Sequence, residues 1–146
     1  MNKALTLIMI LLFANLSHSQ NNYTNLWESV EKLEAEGLPK SALEVIESIR
    51  EKAERDNNNT QQIKVLLFKS KLSLILEEDA QLNIIQAFKT QIDKSEFPAK
   101  NILENLLANL YWQYFQQNRY KFYNRTKTLE KVDKEDFRTW DLQTLF

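Results

Sequence analysis

Leu26-Trp27-Glu28-Ser29-Val30-Glu31-Lys32-Leu33-Glu34-Ala35-Glu36-Gly37-Leu38-Pro39-Lys40-Ser41-Ala42-Leu43-Glu44-Val45-Ile46 holds the chain's one glycine and one of its two prolines. On either side of that punctuation the apolar residues recur every three or four positions. Leu26, Trp27, Val30 and Leu33 form one stripe; Ala42, Val45, Ile46, Ile49 and Ala53 form the next. This is the period of an amphipathic helix, so the stretch reads as helix, turn, helix. Gly37 is placed as the left-handed stop of a first helix from about Asn25 to Glu36. Ser41 with Glu44 fits a capping box opening the second.

The same grammar runs through the rest. Asp56-Asn57-Asn58-Asn59-Thr60 is a polar loop, and a third helix is expected over 61–76. That helix is apolar on several sides (Ile63, Val65, Leu66, Phe68, Leu72, Leu74, Ile75) and is expected to be the most buried element. Glu77-Glu78-Asp79 suits the start of a fourth helix carrying Ile84, Ile85, Phe88 and Ile92. Pro98 suits the first position of a fifth, which runs through Leu103, Leu110 and Tyr114 to about Asn118. One Gly and two Pro are too few turn residues for a β-rich domain. The expected fold class is therefore all-α, with about five main helices and a C-terminal helical stub.

Helices one, three and five start near residues 25, 60 and 98, two and four near 39 and 79. These intervals approach the helix-pair period of tetratricopeptide repeats, so antiparallel hairpins stacked as a short right-handed solenoid are expected. An up-down bundle is the other arrangement that short connections serve.

The N-terminus has a different logic. Lys3, the eleven-residue apolar run Ala4–Ala14, and Ser17-His18-Ser19 before Gln20 make the pattern of a secretory signal peptide over 1–19. Eleven helical residues span only about 16 Å against a hydrocarbon core of roughly 30 Å, so a transmembrane anchor is not expected. The chain is therefore expected to be exported. Removing the leader removes His18, the one histidine, and the chain has no cysteine. That excludes Cys-His and Ser-His-Asp chemistry and the usual zinc and copper sites, and no cofactor or metal is expected. The remaining 18 Lys and Arg against 20 Asp and Glu give no basic footprint for nucleic acid. Carboxylate pairs such as Glu28 with Glu31, Glu44 with Glu47 and Glu77 with Glu78 read as solvated helix faces, with Lys32 at i+4 from Glu28. No catalytic residue is assigned. Asp133-Lys134-Glu135-Asp136 lacks the spacing of a calcium loop and reads as a cap for Phe137 onward.

The last third is the distinctive part. Residues 110–126 hold seven aromatics, and Trp140, Leu142, Leu145 and Phe146 follow with no downstream element to bury them. Residues 20–118 are read as the helical-hairpin domain, and 119–146 as an aromatic, basic connector that begins a further helix. Tyr111, Trp112, Tyr114, Arg119, Tyr120, Phe122, Trp140 and Phe146 are the candidate interaction residues, since exposed Tyr, Trp and Arg are enriched at protein interfaces.

The order of these features resembles the N-terminal helical region of the very large bacterial alpha-2-macroglobulin-like proteins. The specific likeness lies in Leu110-Tyr111-Trp112-Gln113-Tyr114-Phe115-Gln116-Gln117-Asn118-Arg119 and Arg138-Thr139-Trp140-Asp141-Leu142. Leu26-Trp27-Glu28, Gly37-Leu38-Pro39-Lys40-Ser41-Ala42-Leu43 and Phe97-Pro98 support it. The resemblance implies an exported protein, in the periplasm or at the cell surface of a bacterium, that traps proteases with macroglobulin β-domains, a bait segment and often a thioester. None of those parts is in this stretch, so no functional residue of the family maps onto it. The expected function is a non-catalytic interaction module, the N-terminal portion of such a trap, whose partner is the rest of that protein or an envelope protein. A free-standing periplasmic adaptor that binds a protein or peptide is the alternative.

Overall fold

The computed structural model describes residues 23–78, 80–123 and 136–145, with no strand among them. The leader expected over 1–19 lies outside the described residues, as does Phe146. The protein is all-α, and its helices fall into two compact units that meet in sequence at Leu76 and Glu77.

The first unit holds α1 (residues 23–35), α2 (Pro39–Arg55) and α3 (Asn59–Leu76). Its centre is the α2 stripe Ala42, Ile46, Ile49 and Ala53, all fully excluded from water. Tyr23, Trp27 and Val30 of α1 and Val65 and Leu72 of α3 join the same cluster, with Phe68 packed against it. Each buried Ile contributes roughly 2–3 kcal/mol relative to exposure.

The helices turn back through two reversals of one kind. Gly37 sits at φ 71°, the Gly37 N–H donates to the Glu34 carbonyl (3.0 Å), and the Leu38 N–H reaches the Leu33 carbonyl (2.9 Å). The second reversal repeats this bond pattern: Asn57 sits at φ 48°, its N–H donates to Glu54 (3.1 Å), and Asn58 donates to Ala53 (2.9 Å). Both are Schellman closures, one with glycine and one with asparagine in the left-handed position. Asn58 then opens α3, its Oδ1 accepting from the Gln61 N–H at 3.1 Å.

Two expectations change here. α2 begins at Pro39 with Leu38 at the cap position and no side-chain cap bond, so Ser41 lies inside the helix and the capping box with Glu44 does not form. Proline explains this, since its fixed φ and missing N–H suit the first helical position. α3 is not the most buried element: it buries Val65 and Leu72 and leaves Leu67, Leu74 and Ile75 exposed. Its apolar residues surround the axis, whereas the cluster it shares with α1 and α2 takes up one side of it.

The second unit holds α4 (Ala80–Lys94), α5 (Ala99–Tyr123), a 3₁₀ turn at Phe137–Thr139 and α6 (Leu142–Leu145). Ile84, Ile85 and Phe88 of α4 are buried, as are Ala99, Leu103, Phe115 and Phe122 of α5. Ser95 closes α4 by donating its hydroxyl to the Gln91 carbonyl (2.7 Å). The Phe97–Pro98 peptide is cis, and the Pro98 carbonyl accepts from the Ile102 N–H. Proline therefore stands one residue before the helix instead of inside it. α5 continues to Tyr123, five residues past the expected end, so the connector expected to start at Arg119 begins as helix. No glycine, proline or capping residue interrupts that stretch, and Phe122 is drawn into the aromatic cluster.

Ile46→Ala, which empties a fully buried site, is expected to cost about 3 kcal/mol in urea unfolding of the first unit. Leu74→Ala on the exposed side of α3 should stay within roughly 0.5 kcal/mol of the parent. Nothing lies within 4 Å of a Cβ added at Gly37, so Gly37→Ala should cost about 1 kcal/mol through backbone strain alone.

Candidate functional site

α5 is built to carry rings. Tyr111, Tyr114, Phe115 and Phe122 recur at three-, four- and seven-residue steps, which stacks them along adjacent lines of one helix. Phe122 meets Tyr114 edge-on at 6.0 Å and Phe115 at 5.6 Å. Onto this surface the chain returns its own tail. Phe137, only 1% exposed, sits with its ring centre 4.7 Å from Tyr114 and 5.4 Å from Tyr111, both edge-on. Trp140 stacks on Tyr111 at 5.6 Å, and the Lys89 ammonium of α4 stands 5.9 Å from the indole centre. Edge-on and offset pairs of this sort add roughly 0.5–1.5 kcal/mol each beyond the area they bury.

A local clamp presents Phe137. Asp136 Oδ1 accepts from the Arg138 backbone N–H (3.0 Å) and from its Nε (2.8 Å), while Oδ2 accepts from an Arg138 Nη at 2.9 Å. The Asp136 carbonyl takes the Thr139 hydroxyl at 2.8 Å. Acid, base and hydroxyl within four residues thus hold a single turn, with the ring between them turned toward α5. Asp136 acts as the cap expected for Phe137 onward. Asp141 repeats the device for α6, accepting from the Thr144 N–H (2.8 Å) and hydroxyl (2.7 Å).

The candidate residues separate into two groups. Tyr111, Tyr114 and Trp140 are half-buried in this clasp, and Phe122 is buried at 3% exposure. Trp112 (49%), Tyr120 (79%) and Arg119 face solvent, and Phe146 lies outside the described residues. Two residues join them that the sequence did not single out: Phe137, which anchors the clasp, and Tyr123, which is 67% exposed and meets Phe115 edge-on at 6.3 Å. The expectation that the tail's large apolar groups lack cover is corrected for Trp140: α5, upstream, covers Phe137 and part of Trp140.

The first unit carries a cleft of about 640 Å³ where α1 and α3 begin, lined by Tyr23, Trp27, Glu28, Glu31, Gln61 and Lys64 among others. Trp27 Nε1 donates to Gln61 Oε1 at 2.7 Å, and the Lys64 ammonium covers the indole at 4.1 Å. Tyr23 donates its hydroxyl to Asp56 Oδ2 (2.7 Å), which Lys52 also grips at 2.9 Å. Burial, and then the bond to Asp56, push the Tyr23 hydroxyl up to about 12. The bonds from Lys52 and Tyr23 hold the Asp56 carboxyl below its ordinary value. Glu28 and Glu31 are both exposed, as are Glu77 and Glu78, while Glu47 is held by Arg50 (2.6 Å) and Lys69 (3.4 Å). Lys32 lies 4.0 Å from Glu36 and not beside Glu28. Among the described residues no three His, Cys, Asp or Glu groups cluster to hold a metal ion, and no helix is long and apolar enough to cross a membrane.

Phe137→Ala is expected to release the clasp at a cost of about 3 kcal/mol, raising amide exchange over 136–145 roughly a hundredfold while α2 stays protected. Tyr23 gives a pH test. Its folded value lies above the ordinary 10.0, so its contribution is complete below pH 10 and is lost as pH climbs toward about 12. The urea midpoint of the first unit should fall across that window, and Tyr23→Phe should flatten the fall. No protein-family model, curated protein or solved structure matches the chain.

Proposed function

We propose that this chain is a non-catalytic, exported interaction module, and that it forms the N-terminal helical portion of an alpha-2-macroglobulin-like protease-trapping protein. The observation that carries the interaction reading is the last two turns of α5. Tyr120 and Tyr123 are mostly exposed there, on the same two turns as the exposed cations Arg119 and Lys121. Trp112 is half-exposed two turns earlier. Rings left in water forgo roughly 25 cal/mol for each Å² of apolar surface, and Trp, Tyr and Arg are the residue types that dominate binding energy when a partner covers them. The trap reading rests on the likeness of residues 110–119 and 138–142 to that family. Its partner would be the macroglobulin-type domains of the same protein.

A free-standing periplasmic adaptor is the second reading. The burial of Phe137 and the stacking of Trp140 on α5 favour it, because a tail that covers itself needs less from elsewhere.

A photoreactive residue at position 120 of the exported full chain is expected to cross-link to a macroglobulin-type polypeptide, whereas one at Glu104 should not. The pair Trp112→Ala and Tyr120→Ala should weaken that association by about 30-fold, the effect of losing 2 kcal/mol at a hot spot, with helicity unchanged. Reading the gene past the Phe146 codon should show macroglobulin-type β-domains in some frame. If no such relic is found and the cross-link goes to an unrelated envelope protein, the adaptor reading stands and the trap reading falls.

A further inference from the structure

We propose that the cleft where α1 and α3 begin binds a free basic amino acid, lysine or arginine. Its α-carboxylate is taken by Asn58, Gln61 and Lys64, and its two cationic groups by Glu28 and Glu31. The site lies wholly in the first unit and owes nothing to the α5 surface invoked above.

The α3 side of the cleft is a set of donors whose orientation is fixed. Gln61 commits its Oε1 to the Trp27 indole N–H at 2.7 Å, so its amide nitrogen is what it has left to offer. Asn58 commits its Oδ1 to the Gln61 backbone N–H at 3.1 Å, with the same result. The Lys64 ammonium stands 4.1 Å from the centre of the Trp27 ring. That contact seats the cation but brings no formal charge to neutralise it. All three residues line the cleft, and no acid in the first turn of α3 competes for them.

The α1 side is opposite in sign. Glu28 and Glu31 are three residues apart, so they share one face of the helix, and both line the same cleft.

Ion pairing within the first unit sets these groups apart. Lys32, Arg50, Lys52, Arg55, Lys69 and Lys71 each have a carboxylate within 4.0 Å. Among the described residues of the unit, the charges without such a partner are Glu28, Glu31, Glu44, Lys40 and Lys64. Three of these five line the cleft, and they are of both signs.

The ligand follows from that balance. Two carboxylates and one ammonium give the lining a formal charge of −1 (−2 + 1). A free lysine or arginine is the converse, with an α-ammonium, a side-chain cation and one carboxylate. Packed helices have axes about 8–10 Å apart, so a ligand touching both needs charges separated by a chain of several atoms. A zwitterion whose two charges share one carbon does not provide that reach. The volume, about 640 Å³, falls inside the roughly 300–1,000 Å³ usual for small-molecule sites.

The test is calorimetric titration of the purified full chain with L-lysine and L-arginine. Binding is expected with a Kd of about 0.1 mM, the modest affinity of a small ligand in a half-open site. Cadaverine, which lacks the carboxylate, and norleucine, which lacks the side-chain cation, should each bind at least about tenfold more weakly. Nα-acetyl-lysine, which lacks the α-ammonium, should also fall behind free lysine. Lys64→Met keeps an apolar stem on the indole and should lose roughly tenfold, as should the pair Glu28→Gln and Glu31→Gln. Glu44→Gln removes an unpaired carboxylate on α2 outside the cleft and should leave the affinity unchanged. Helicity and the urea midpoint of each variant, measured alongside, separate a lost contact from a lost fold. No heat from lysine or arginine up to roughly 10 mM overturns the proposal. Cadaverine or norleucine binding as well as lysine overturns it too, since one charge then suffices. Nα-acetyl-lysine matching lysine overturns the free amino acid in favour of a peptide's carboxy-terminal residue. Equal losses in Glu44→Gln and in the cleft variants overturn the site, because the effect is then one of overall charge.

Discussion

The exclusion of Ala42, Ile46, Ile49 and Ala53 from water is what the first unit is arranged around. Two alanines and two isoleucines at helical spacing make a narrow ridge, and small side chains at its ends let the neighbouring helices approach closely. Trp27 and Val30 cover it from α1, Val65 and Leu72 from α3. That coverage requires the chain to reverse twice within a few residues, without losing the polar groups at the helix ends. Gly37 and Asn57 make both reversals possible, because each adopts a left-handed backbone in which its own N–H and that of the next residue bond to carbonyls of the helix just ended. The surface ion pairs that decorate these helices, such as Lys71 with Glu34 at 2.8 Å, each add roughly 0–1 kcal/mol and fine-tune an arrangement already set by burial.

The second unit relies on a different economy. α4 and α5 share an aliphatic core at one end, but further along α5 aromatic rings take over from Leu and Ile. Rings meeting edge-on leave flat gaps that another ring fills better than an aliphatic chain does. Phe137 is such a filler, held on a turn whose own polar groups are satisfied by Asp136 and Arg138. Proximity through a clamped four-residue turn is a modest demand on sequence, and it converts the end of a helix into a small tertiary core.

Much of this was legible from the residues. Stripes at helical spacing placed every long helix, and the lone glycine located the first reversal. The second reversal was read only as a polar loop, since Asn57, Asn58 and Asn59 are identical in propensity and only the closing bonds distinguish the left-handed one from the cap beside it. The capping box at Ser41 was outcompeted by a proline two residues earlier. Phe137 was passed over because its value depends on Tyr111 and Tyr114, more than twenty residues upstream, and no local period links them. The outward leucines of α3 were misjudged for a related reason: composition reports how apolar a helix is, not how many of its sides find a neighbour.

The three tryptophans stand in three distinct surroundings. Trp27 is sealed in the first unit with its N–H bonded and a cation on its face. Trp112 is half in water. Trp140 rests against Tyr111 with Lys89 nearby. Indole emission depends on polarity and on adjacent charge, so the chain carries built-in optical probes for the ridge, the open side of α5 and the clasp. Removing the tryptophans two at a time would give each site its own spectrum, without attaching a foreign dye.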